Sequence, residues 1–288
     1  MGPGIAKRPR VALVALSAAG ALLIVLLYAS TITRLVAQWW DDPNFSHGFF
    51  VPLFAGYLAW AARDRLAQIK AKPSWSGLLI LVFGLSLFIV GRLGSELFLA
   101  RTSLMFVIAG AIVFLRGWET FQTLLFAWIV LFLMVPLPMV IFNQLTLKLQ
   151  FLASALGSSL LAFCGVPVLR EGNVIHLPAM PLEVAEACSG IRSLLSLTTL
   201  TIIYGYFADK RIWMRIALLC AAVPIAIAAN AVRLFGTGLT VQYWDPDKGS
   251  GFFHEFSGWV IFIVSVAMLM GVHALLNLIV RREVKHAA

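Results

Sequence analysis

The chain reads as a succession of long apolar runs punctuated by charge, roughly 11–33, 44–62, 76–92, 97–115, 120–136, 188–207, 212–235 and 257–280. A helix rises about 1.5 Å per residue, so roughly 20 apolar residues cross the ~30 Å hydrocarbon core of a bilayer. No other feature constrains the fold as strongly, because in lipid every backbone polar group must be satisfied within the segment itself. Composition agrees. Of 288 residues 61% are hydrophobic and 12% charged, where a soluble domain carries about a quarter charged. The expectation is an all-α polytopic membrane protein of about eight transmembrane helices, forming a single membrane domain over 1–288.

The formal charge of +9 would suggest a nucleic acid partner in a soluble protein. Here the basic residues sit at the ends of apolar runs, where they set orientation. The sequence has no Gly-rich phosphate loop and no basic stripe with interleaved aromatics, so no nucleic acid partner is expected and the bilayer is the surrounding medium. With both termini cytoplasmic, the inner segments hold most of the 22 Lys and Arg residues, among them Lys7, Arg8, Arg63, Arg65, Lys70, Lys72, Arg116, Lys210, Arg211 and Arg281. Trp39-Trp40-Asp41-Asp42 and Tyr243-Trp244-Asp245 then fall at the outer interface, where indole and phenol rings sit at headgroup level. The basic start followed by Val11–Thr33 resembles a secretory leader, but the run is long enough to span and lacks a convincing A-x-A site, so it reads as a retained first helix.

Between the fifth and sixth runs, residues 136–187 differ in character and are expected to form a small extracytoplasmic cap. Asn143, Gln144, Lys148 and Gln150 interrupt the first half, which suggests an amphipathic helix at or dipping into the interface. The segment 166–177 alternates around Glu171-Gly172-Asn173 and predicts a β-hairpin, with Leu182–Ala185 as a third strand.

Three features could carry chemistry. Glu186-Ala187-Cys188-Ser189-Gly190-Ile191-Arg192 opens the sixth run. A thiol at a helix N-terminus lies near the positive end of the macrodipole, which favours the nucleophilic thiolate, while Glu186 would act in the opposite direction. Gly190 permits close approach of a substrate backbone. Asn230 and Arg233 lie at i and i+3 near the end of the seventh run, on one helix face. His254 precedes the eighth. Each residue alone has a plain alternative: a buried structural cysteine, an arginine snorkelling to the surface, an interfacial loop histidine. Alternating topology nevertheless brings the start of the sixth run, the end of the seventh and the start of the eighth to one level, so Cys188, Arg233 and His254 can meet. A thiol, a proton carrier and a fixed cation are the parts of nucleophilic acyl transfer. The cysteines Cys164, Cys188 and Cys220 form no CxxC pair, so neither a metal nor another cofactor is expected. His273 sits mid-run and reads as a packed core histidine.

Ala187-Cys188-Ser189-Gly190-Ile191-Arg192, then Asn230-Ala231-Val232-Arg233, then His254 with Gly258-Trp259, together with Phe45-Ser46-His47-Gly48-Phe49, resemble the exosortase/archaeosortase family over nearly the whole chain. The resemblance implies a bacterial inner-membrane cysteine transpeptidase or protease. Its substrates would be membrane-anchored proteins with a C-terminal sorting tail (a Pro-Glu-Pro-like motif, a helix and a basic cluster), associated with exopolysaccharide. It implies Cys188, Arg233 and His254 as catalytic residues, with Asn230, Ser189, Gly190, Arg192, His47 and Glu186 in support. The alternatives are a transporter or permease linked to polysaccharide export, and an intramembrane serine protease using Ser189.

Overall fold

The computed structural model describes residues 8–185, 188–244 and 252–287, with side chains over 19–185, 188–244 and 256–281. Helices make up 82% of it. Seven are long and apolar enough to cross a membrane, so the protein is an all-α polytopic membrane protein. The chain divides into two compact units, Met1–Pro138 and Met139–Ala288.

The first unit comprises α1 (Arg8–Asp41), a 3₁₀ turn (Pro43–Phe49), α2 (Phe50–Ala61), α3 (Arg63–Gln68), α4 (Ser76–Leu93), α5 (Leu97–Arg116), α6 (Trp118–Leu131) and a second 3₁₀ turn (Phe132–Met134). Its backbone is the α4–α5 hairpin. Gly77, Gly84 and Gly91 recur every seventh residue along α4 and let the two backbones touch. A methyl group at Gly84 would stand 2.9 Å from the Val107 amide nitrogen, and one at Gly91 2.6 Å from that of Ala100. Lipid offers apolar side chains no incentive to leave it, so close backbone approach of this kind is what joins membrane helices. The hairpin turns through Ser95 in the left-handed region (φ 54°), and the Glu96 carboxylate caps α5 by accepting from Leu99 N–H at 2.8 Å. α1 docks through Tyr28, whose hydroxyl meets Ser103 Oγ at 2.8 Å. Trp39 Nε1 donates to Met134 O at 3.0 Å, tying the end of α1 to the end of α6.

The expected runs 44–62 and 120–136 are only partly helical. α2 has 12 residues and α6 has 14, or roughly 20 Å of helix each, short of the ~30 Å core. Pro43 diverts the first into a 3₁₀ turn, and the second tightens into 3₁₀ geometry ahead of Pro136 and Pro138. Hydropathy counted apolar residues there, not continuous helix.

The second unit comprises α7 (Met139–Phe163), β1 (Leu169–Glu171), β2 (Val174–His176), β3 (Pro181–Glu183), α8 (Ile191–Ala208), α9 (Ile212–Tyr243) and α10 (Phe252–Ala287). α7 is one unbroken helix of 25 residues, long and apolar enough to span, despite the polar residues expected to interrupt it. Asn143, Gln144 and Lys148 are exposed, while Phe142, Thr146, Ala153, Gly157 and Leu161 form a buried stripe at helical spacing. The stripe packs against α9 in parallel. Gly157 faces Leu234, and Leu161 faces Gly238 one turn further along both helices.

The three strands form an antiparallel sheet in the order β1-β2-β3, with Arg170 opposite Ile175 and Ile175 opposite Leu182. The hairpin turns at Gly172-Asn173, as expected. Gly172 has φ 64° at the first of two loop residues, where a type II′ turn demands positive φ. Ser154 Oγ of α7 donates to Gly172 O at 2.9 Å. Ile175 and Val184, both fully buried, join Leu161, Leu234 and Val241 in one core, so the sheet is clamped across the C-terminal halves of α7 and α9. A second core unites Leu197, Met214, Leu218 and Leu269 from α8, α9 and α10.

At the end of this unit away from the sheet, the Asp209 side chain is 8% exposed and receives Arg211 Nε at 3.0 Å. Arg211 also bonds Asn277. These donors, Arg211 first, hold the Asp209 carboxyl well below the usual carboxylate range. His273 is buried, as expected of a core histidine, and is fixed by Tyr204 Oη at 2.8 Å on Nδ1, with Asp209 at 3.5 Å from Nε2.

Candidate active site

The sheet delivers the chain to Cys188. Val184 N–H donates to Asn173 O at 2.9 Å, fixing the end of β3. The chain then reaches a tight turn in which Cys188 N–H donates to Ala185 O at 2.9 Å. Glu186 lies outside the described residues. Gly190 follows at φ 84° and directly precedes α8. Only glycine holds that conformation at little cost, and here it also leaves room: a methyl group would stand 2.8 Å from Asn230 Cγ. Asn230, 4% exposed, comes in from α9 and donates Nδ2 to the Cys188 carbonyl at 2.9 Å. Thus α9 holds the thiol-bearing residue by its backbone.

Cys188 is half-buried and in no disulfide, and Cys164 and Cys220 are exposed and likewise unbridged. Burial pushes the Cys188 thiol pKa up, while the Arg233 charge and the Ala185 backbone pull it down. Burial prevails. The helix N-terminus was expected to favour thiolate, but Cys188 stands three residues before the first residue of α8, and the dipole fades within a turn. Burial therefore favours the neutral thiol over the thiolate.

Arg233 lies one turn beyond Asn230 on the same face of α9 and acts electrostatically on Cys188. Against its guanidinium α10 presents bare backbone: a methyl group at Gly258 would stand 3.7 Å from Arg233 Cζ. His254 occupies the first turn of α10, four residues before Gly258 and on the same helix face; its side chain lies outside those described. Three helices and one sheet therefore bring the Cys188 turn, Arg233 and the His254 position to one end of the unit.

The remaining expected residues divide. Ser189 is 2% exposed and its Oγ accepts from Ile191 N–H at 3.2 Å, a helix-starting role. Arg192 is exposed on the first turn of α8, and its charge reaches Arg233. His47 belongs to the first unit, in the turn beneath Trp39. Burial lowers its pKa, against an opposing pull from the Leu133 and Asn44 backbone. Gly258 entered the sequence reading only as part of a motif. Its function as the floor under Arg233 depends on how α9 and α10 pack, which the sequence does not state.

A helical membrane protein with a cysteine turn, a nearby arginine and a histidine position on adjoining helices defines the class. The family model for transmembrane exosortases matches residues 39–271, which is most of the chain and contains every one of these residues. The chain belongs to the transmembrane exosortase family. Neither a curated protein nor a solved structure matches it at a level from which kinship is inferred.

Proposed function

We propose that the protein is a membrane-embedded cysteine transpeptidase or protease that cleaves C-terminal sorting tails of exported proteins through a thioester. The observation that carries this reading is the pinned Cys188 turn, with its carbonyl held by Asn230 and its thiol under the influence of Arg233. In this reading His254 takes the thiol proton, and the thiolate attacks the scissile carbonyl carbon. A C–S bond forms, and Arg233 with backbone N–H groups offsets the charge on the resulting oxyanion. The tetrahedral species collapses, the C–N bond breaks, and the imidazolium returns its proton to the leaving amine. Water or an acceptor amine then resolves the thioester, again with His254 as base.

Family membership supports membrane-level processing of proteins carrying a sorting signal. The Pro-Glu-Pro-like tail, the bacterial inner membrane with the site on its outer face, and the link to exopolysaccharide extend the resemblance. The distribution of Arg63, Arg65, Lys70, Lys72, Arg116 and Arg211 favours a cytoplasmic position for the helix ends that carry them. A serine mechanism is disfavoured because Ser189 Oγ is buried and engaged with Ile191 N–H. A transporter reading gives no reason for Asn230 to hold the Cys188 carbonyl.

The test is a reconstituted pair of enzyme and tail-bearing substrate, with mass spectrometry of the trapped acyl-enzyme. Cys188→Ala is expected to abolish cleavage and Ser189→Ala to retain it. Wild-type processing by Cys188→Ala would overturn the assignment.

A further inference from the structure

The first unit contains a second cluster of functional type. Where α4 turns into α5, beside α1, a pocket of about 230 Å³ is lined by Arg34, Arg92 and Arg101 together with Thr31 and Ser95. It lies at the end of the unit opposite Arg63, Arg65, Lys70 and Lys72. Arg34 and Arg92 are exposed and can reach into it or out of it. Arg101 cannot withdraw. It is 4% exposed, and its Nε has no hydrogen-bond partner among the described residues.

A guanidinium is always charged, and burying one without a counter-charge is costly. Glu96, whose carboxylate caps Leu99 N–H, acts on Arg101 electrostatically as a partial counter-charge. Among the described residues, none of the three arginines forms an ion pair. Arg92 makes a single long contact, 3.4 Å to Ser30 Oγ. Three forked donors converging on one pocket match the oxygens of a phosphate.

The surroundings say what bears that phosphate. Arg92 lies in the last turn of α4 and Arg101 in the second turn of α5, where hydrocarbon gives way to headgroups. Leu93 is 83% exposed, with Ile89 and Val90 each 56% exposed on the same helix. Apolar surface therefore continues from the rim of the cation cluster along α4, as a tethered acyl chain requires. We infer that this pocket binds the phosphate headgroup of an anionic membrane lipid. The inference is independent of the peptidase reading and stands or falls separately.

Native mass spectrometry of the detergent-purified full chain tests it, with dioleoylphosphatidylglycerol as probe, phosphatidylcholine as zwitterionic control and inorganic phosphate as competitor. Wild type is expected to retain one phosphatidylglycerol under conditions that strip phosphatidylcholine. The double variant Arg34→Gln/Arg92→Gln, altered only at exposed positions, should bind it about tenfold more weakly, and Arg101→Met should do the same. Equal retention of both lipids, or unchanged binding by the double variant, would overturn the proposal. Displacement by millimolar phosphate would overturn the lipid assignment in favour of a soluble phosphate-bearing ligand.

Discussion

Gly190→Ala should damage the site through two separable effects. The first is conformational. A non-glycine residue held at φ 84° costs about 1–2 kcal/mol. The second is steric, because the new methyl group would stand 2.8 Å from Asn230 Cγ and 3.0 Å from its Cβ and Nδ2. The amide must then move off the Cys188 carbonyl it holds at 2.9 Å. Leaving that carbonyl without its donor costs about 1–3 kcal/mol. The total, about 2–5 kcal/mol, is a large share of the roughly 5–15 kcal/mol that stabilises a typical fold. Denaturant titration in detergent, followed by circular dichroism, measures it. Asn230→Ala alone should cost only the second part. Since Gly190→Ala has already broken that hydrogen bond, the double variant should fall short of additivity by about 1 kcal/mol or more. Strict additivity, or a neutral Gly190→Ala, would refute the proposed coupling between the turn and α9.

Because burial raises the Cys188 pKa above the ordinary thiol value of 9.0 while Arg233 lowers it, alkylation of Cys188 by iodoacetamide should keep accelerating past pH 9. Arg233→Gln removes a lowering influence, so its midpoint should move higher still; an unchanged or lower midpoint would show that the guanidinium does not act on the thiol. Gly84→Leu should force α4 from α5 and destabilise the protein by about 1–3 kcal/mol, visible as an earlier thermal transition, and an unaltered melt would exclude backbone contact at that position. Asp209→Asn should destabilise by about 2 kcal/mol at neutral pH. Since the folded-state pKa of Asp209 is depressed, its contribution is complete above its unfolded value of 3.8 and is lost as pH falls toward the folded one, so wild type and variant should converge in strong acid.

Much of the architecture was legible because lipid imposes a simple demand. α1, α4, α5, α8, α9 and α10 follow their apolar runs, since a spanning backbone has no alternative to helix. α2 and α6 fell short where prolines and 3₁₀ turns broke continuity within an apolar segment, a matter of backbone geometry that hydropathy does not measure. α7 was obscured by Asn143, Gln144 and Lys148, yet the stripe Phe142, Thr146, Ala153, Gly157, Leu161 was present and readable at helical spacing. The seven-residue recurrence of Gly77, Gly84 and Gly91 was equally visible and would have pointed to a close helix pair. The approximate meeting of Cys188 with Arg233 followed from topology alone. The resting state of the thiol did not. The helix dipole was read from sequence position, whereas burial depends on how the sheet and α9 close over the turn, a long-range result of packing.

The bond from Asn230 to the Cys188 carbonyl joins residues 42 positions apart. In biosynthetic terms the two units therefore mature differently. The α4–α5 hairpin is complete once its second arm is made, because its partners are neighbours in sequence. The cysteine turn gains its support only when α9 has been translated and threaded into the bilayer, and the backbone floor under Arg233 arrives later still with α10. A nascent chain thus displays its thiol well before it owns the device that aims it.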